Sequence, residues 1–82
     1  MLKNIAVILV EPLYSGNIGS VARAIKNMGM ERLILVNPRA DHRALEAVKM
    51  AVSADDILEK AEVYTSFDEA VGGFSYLAAT TV

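Results

Sequence analysis

Not one cysteine occurs in the 82 residues. That excludes disulfides, thiolate catalysis and thiolate metal centres. A single histidine, His42, cannot assemble a metal site by itself, and no metal is expected. No apolar run reaches the roughly 18–20 residues of a membrane span. The first apolar run is short and passes straight into Glu11 and Pro12, unlike a secretory signal. Internal repeats, low-complexity segments and linkers do not occur either. The expectation is one soluble, cytoplasmic domain, or part of one, over residues 1–82.

What is present is mostly apolar. Hydrophobic residues make up 54% of the chain, and the mean hydropathy is +0.35. A chain this short buries a smaller share of its surface than a larger domain does. Part of that apolar surface is therefore expected to meet a partner or further chain. The net charge is −2, unevenly spread: residues 1–39 carry +3 and residues 40–82 carry −5. A polyanion would meet the first half.

Residues Ile5 to Val10 (IAVILV) form a continuous, β-branched apolar run. Such a run reads as a strand buried on both faces, as in parallel sheets. Glu11 to Gly16 reads as a loop. A helix follows from about Ile18 to Met28, with Ile18, Val21, Ala22, Ile25 and Met28 on one face. Asn17 suits its N-cap. Gly29 suits the left-handed position beyond its end, with Met30 folding back on Ile25. Leu33 to Val36 reads as a second buried strand. Asp41 can cap a second helix through Leu45 and Val48 to about Val52. Ala61 to Thr65 reads as a third strand. Ser66 and Glu69 have the spacing of a capping box, opening a short helix that ends at Gly72-Gly73. Tyr76 to Thr81 reads as a fourth strand. The order βαβαβαβ implies an α/β fold with a doubly wound, mostly parallel sheet. Ligands of such sheets bind beyond the carboxyl ends of the strands.

The chemistry is concentrated in Glu11 to Gly29, EPLYSGNIGSVARAIKNMG. At about 100° per residue, Ser20, Arg23, Lys26 and Asn27 lie away from the apolar stripe. Gly19, one turn before Arg23, is expected to let a ligand approach the backbone closely. Asn17 and the first-turn amides lie alongside, at the positive end of the helix dipole. This set suits a phosphate with a guanidinium beside it. It also reads as an ordinary turn with a solvated arginine, and spacing alone leaves both readings open. Tyr14 is the aromatic placed to stack on an RNA base, or else a packed loop residue. Asp55-Asp56 reads as a polar helix or loop start.

The pattern Asn17-x-Gly19-x-x-x-Arg23 after an apolar strand, then KNMG and LVNP, resembles the first signature motif of the SpoU-type (SPOUT) RNA ribose methyltransferases. The stretch from ILVEP through GNIGSVARAIKNMG to LVNP is most similar to the branch acting on a tRNA anticodon-loop ribose. The likeness runs along the whole chain. It departs from the family pattern at Ser15, at Ala51-Val52-Ser53-Ala54 and at Ala79-Thr80-Thr81.

The resemblance implies a trefoil-knotted α/β domain working as a homodimer on RNA, with tRNA as the expected substrate. S-adenosylmethionine is the implied cofactor and a ribose 2′-hydroxyl the implied acceptor. Arg23 and Asn17 would be the catalytic pair. Gly19, Ser20, Lys26 and Tyr14 would meet RNA. Thr80, Thr81 and Val82 would edge the cofactor pocket, although threonine is also simply a good strand residue. The family's later motifs and knot segment are expected beyond residue 82, so the isolated chain is expected to be inactive. The alternatives are a non-catalytic RNA- or nucleotide-binding module and a dimerisation fragment. A dinucleotide-dependent dehydrogenase fits poorly, because Asn37-Pro38 stands where an acid for the ribose belongs.

Overall fold

The computed structural model describes residues 5–66, 68–69 and 76–81. The elements are β1 (Ile5–Val10), α1 (Ser15–Asn27), β2 (Arg32–Val36), α2 (Leu45–Ala51), α3 (Asp55–Glu59), β3 (Glu62–Tyr64) and β4 (Tyr76–Thr81). The strands form one sheet in the order β3-β2-β1-β4. Every neighbouring pair is parallel. The α/β reading holds, and β1 and β4 run over the residues expected.

Both faces of the inner strands are buried. On one face, Leu9, Leu33 and Leu35 pack with Ile18, Ala22 and Ile25 of α1 and with Ala47, Ala51, Ile57 and Leu58 of α2 and α3. On the other, Ala6, Ile8, Ile34 and Val36 form a second cluster, with Val10 and Tyr64 against it. That is why β1 reads as an unbroken apolar run rather than an alternating one. Each fully buried Leu or Ile contributes about 1.5–3 kcal/mol.

Helix α1 ends as its sequence suggests. Gly29 sits at φ 78. Its amide donates to the Lys26 carbonyl, and the Met30 amide donates to the Ile25 carbonyl. This is a Schellman end, and it carries Met30 onto Ile25 in the core.

Three expectations about element ends are corrected. Helix α1 starts at Ser15, not near Ile18, and Tyr14 is its N-cap, without a side-chain cap. The expected second helix stops at Ala51, and α3 follows as a separate turn of helix at the Asp55-Asp56 start. Asp41 does not cap α2; its carboxylate accepts the Arg43 amide at 2.9 Å. Leu45 and Val48 of α2 are exposed, while Ala47 and Ala51 are buried. Small residues win there because α1 and α2 approach too closely for large ones. Past β3, half of the expected capping box forms: the Glu69 amide donates to Ser66 Oγ at 3.3 Å, while the Glu69 carboxylate accepts from Thr65 Oγ1 at 2.8 Å. The expected end of that helix at Gly72-Gly73 lies outside the described residues.

Candidate active site at the carboxyl edge of the sheet

Strand register defines the edge. Tyr64, Val36, Val10 and Thr81 lie at one level across the sheet, at the carboxyl ends of all four strands. From β1 the chain proceeds to β2 and β3 on one side, whereas β4 pairs on the other. The topological switch point therefore lies between β1 and β4, where open parallel sheets hold their ligands.

The loops on this edge are tied together. Glu11 and Asn37, the first residues past β1 and β2, take positive φ of 50° and 46°. The Glu11 amide donates to the Val36 carbonyl at 2.8 Å, and the Asn37 amide to the Tyr64 carbonyl at 2.7 Å. Pro12 is buried. Its carbonyl accepts the amides of Arg39 and Ala40 at 3.0 and 3.1 Å. The β1–α1 loop is thus clipped to the β2–α2 loop.

The Tyr14 carbonyl accepts the amides of Asn17 and Ile18 at 3.2 and 3.4 Å. Asn17 is therefore a first-turn residue rather than a cap. The first turn contains no acid of its own, and the carboxylate of Glu46 in α2 lies beside Gly16, at the positive end of the helix dipole. Asn17, Ser20 and Arg23 are all exposed. Ser20 and Arg23 are one turn apart and share a surface strip. Asn17 sits roughly 120° round the axis and about 9 Å along it from Arg23. Within α1 alone, the two expected catalytic residues do not adjoin. Among the described residues, no hydrogen bond or ion pair engages the Arg23 guanidinium.

Two expected RNA contacts are placed elsewhere. Gly19 is buried, and a Cβ there would overlap the Ala47 carbonyl oxygen of α2. Its missing side chain admits a neighbouring helix, not a ligand. Lys26 turns toward α3, where its Nζ donates to the Ser53 carbonyl at 3.0 Å and to Asp56 Oδ1 at 3.1 Å. It staples two helices. Tyr14 is 65% exposed at the mouth of the β1–α1 loop, as stacking would require. Thr80 and Thr81 pair in register with Leu9 and Val10, which puts their backbone beside the switch point. Val82 lies outside the described residues.

The remaining charged chemistry lies away from this edge. Arg32 Nη2 and Nε meet Glu62 Oε2 at 2.6 and 3.0 Å near the amino ends of β2 and β3. Tyr64 donates to Glu62 Oε1 at 3.0 Å, and that bond to a carboxylate holds its phenol above the usual tyrosine range. The hydrogen bond from Lys26 holds Asp56 below the usual aspartate range. A hollow of about 260 Å³ lies among Glu31, Arg32, Asp56, Ile57, Lys60 and Glu62, near that amino end. A second, of about 240 Å³, touches His42 and Arg43. Neither is lined by Arg23. Among the described residues no cluster of carboxylates and histidine could hold a metal ion. The residue missed by sequence reasoning is Arg39. Its nearness to Glu11 depends on the pairing of β1 with β2, which no local pattern specifies.

The fold and edge define a parallel α/β domain with its topological switch point beside β1 and an exposed cation on its first helix. The sequence profile of the SpoU rRNA methylase family matches residues 4–80. A tRNA (cytidine-2′-O-)-methyltransferase, TrmJ, of Methanocaldococcus jannaschii is 46% identical over 81 residues, 99% of this chain and 35% of that protein. A tRNA (cytidine/uridine-2′-O-)-methyltransferase, TrmJ, of Salmonella typhimurium is 42% identical over 99% of this chain and 33% of its own length. A probable methyltransferase from Bordetella pertussis superposes with a TM-score of 0.86 at 39% identity, over 90% of this chain and 45% of that one. The chain belongs to the SpoU rRNA methylase family. It spans about a third of the length of the curated relatives it matches.

Proposed function

We propose that the protein carrying this chain is an S-adenosylmethionine-dependent tRNA ribose 2′-O-methyltransferase. The observation that carries the proposal is the unengaged guanidinium of Arg23 on the outer strip of α1, in a chain of the SpoU family. When bound, S-adenosylmethionine supplies an electrophilic methyl on a sulfonium. The carboxyl ends of β1 and β4, side by side at the switch point, are where a parallel sheet accommodates such a group. Thr80, Thr81 and Val82 would edge it.

Arginine stays protonated near neutrality and is a poor base. Its work is electrostatic. Arg23 would hold an RNA phosphate and so fix the neighbouring 2′-hydroxyl for in-line attack. It would also stabilise the negative charge growing on the 2′-oxygen, while a phosphate oxygen takes the proton. Ser20, on the same strip, can add a hydroxyl to that phosphate. Asn17 would act from the first turn, near the helix end rather than beside Arg23. No step needs a metal.

The rest of the reading follows the family likeness. The protein would work as a homodimer in the cytoplasm, where its tRNA lies. Residues after β4 would tie the trefoil knot and complete the pocket. For the 82 residues alone, the reading is a non-catalytic RNA-binding or dimerisation piece. Their coverage of a third of the relatives favours this.

The test is methyl transfer from labelled S-adenosylmethionine to an unmodified tRNA transcript, followed by digestion to nucleosides. The full-length protein should yield a 2′-O-methylnucleoside, and the 82-residue chain should yield none. A base-methylated product, or turnover by the short chain, would overturn the corresponding part of the proposal.

A further inference from the structure

We propose that the loop joining β2 to α2 is a second phosphate-gripping element, with Arg39 holding RNA backbone beside the end of β1 and Arg43 holding it farther along the loop. This rests on the RNA-methylating reading above and adds to it the residues that anchor the substrate.

The loop is ordered before any ligand arrives. Its start is pinned by the two amide bonds from Arg39 and Ala40 to the Pro12 carbonyl. Its middle is closed by Asp41, whose carboxylate accepts the Arg43 amide. Asp41 is the sole acid between Asn37 and Leu45, and this bond commits one of its oxygens to the loop's own backbone. A loop already held in place loses little entropy when it binds.

Its two guanidinia are available. Arg39 Nη2 lies 3.9 Å from Glu11 Oε1, with the side chains 63% and 53% exposed. At that distance and exposure the pair is weak and screened by water, so a phosphate can displace Glu11. Arg43 is exposed and lines a hollow with Asp55 and Glu59 of α3, but no hydrogen bond or ion pair among the described residues engages its guanidinium. Arg32, at the other end of the sheet, is by contrast committed to Glu62 at close range. The Glu11 contact places Arg39 one residue past the end of β1, next to the switch point. Guanidinium forks match phosphate oxygens. Such contacts fix the register of a nucleic acid without reading its bases.

The experiment uses the full-length protein, a tRNA transcript and a range of potassium chloride concentrations. The double variant Arg39→Ala/Arg43→Ala should bind tRNA about tenfold more weakly. The slope of log affinity against log salt should fall by roughly 1.5–2, because each lost phosphate contact releases about one fewer counterion. The loss should fall on KM for tRNA. The double lysine variant should restore the salt slope and only part of the affinity, since lysine keeps the charge without the fork. Glu11→Gln should tighten binding two- to threefold by releasing Arg39. A methylating wild type whose double variant keeps its affinity and slope would overturn the inference while leaving the function intact. An affinity loss with an unchanged slope would also overturn it, marking a folding defect or a protein-binding loop. A wild type that binds no tRNA would overturn the functional reading itself.

Discussion

On the inner side of α1, Ile18, Gly19, Ala22 and Ile25 are buried against the sheet and α2. On the outer side, Asn17, Ser20 and Arg23 are exposed, and Arg23 has no partner among the described residues. The residues of one short motif thus alternate between packing and chemistry. Each residue turns about 100° from the last, so residues three or four apart share a side. A matching motif is therefore evidence of two constraints at once. Only the exposed half is placed to meet a ligand directly.

Arg23→Ala separates the two sides most sharply. In the full-length protein, methyl transfer should fall by about 10²–10³-fold, the scale of losing one charge-stabilising donor. Thermal midpoint and S-adenosylmethionine affinity should hold. Near-normal turnover would break the division. Gly19→Val attacks the inner side. Its side chain must push α2 away at the Ala47 carbonyl, costing about 2–3 kcal/mol in urea unfolding. Unchanged stability there would return Gly19 to the ligand-facing set.

Gly19 and Gly29 sharpen the contrast. A Cβ at Gly29 meets nothing within 4 Å, but the residue sits at φ 78. Gly29→Ala should cost about 1 kcal/mol through backbone strain alone. Gly19 is required for space and Gly29 for conformation. The same unfolding assay should rank them in that order.

The smallest effect concerns Lys26, which sequence position assigns to RNA and the structure assigns to α3. Asp56 is depressed by its hydrogen bond to Lys26. A depressed carboxylate stabilises the fold above its unfolded pKa and loses that contribution as pH falls through its folded one. Lys26→Ala should lower the unfolding midpoint slightly at pH 7. The difference should shrink as pH falls below about 4, the ordinary aspartate range. Loss of tRNA affinity in this variant, without that pH signature, would restore its RNA role.

Much of the fold was legible because its signals are local. The apolar runs of β1 and β2 mark strands buried on both faces. The Gly29-Met30 end of α1 needs only residues within one turn. Asn17 misled, because the helix already begins at Ser15, and the Tyr14 carbonyl, three residues before Asn17, accepts the Asn17 amide. The packed face of α2 was not legible, since the close approach of two helices selects Ala47 and Ala51 for the contact over the larger Leu45 and Val48.

By itself, then, the chain's order of residues determined the α/β class, the spans of β1 and β4, the apolar face of α1 and the exposure of Arg23. Each follows from periodicity or from bonds a few residues long. Only the tertiary structure decided the order β3-β2-β1-β4, the seating of Gly19 on Ala47, the bond from Lys26 to Asp56 and the clip between Pro12 and Arg39. Those contacts join segments distant in the chain. Their partners exist only once parallel strands have brought the crossover helices and loops to the same end of the sheet.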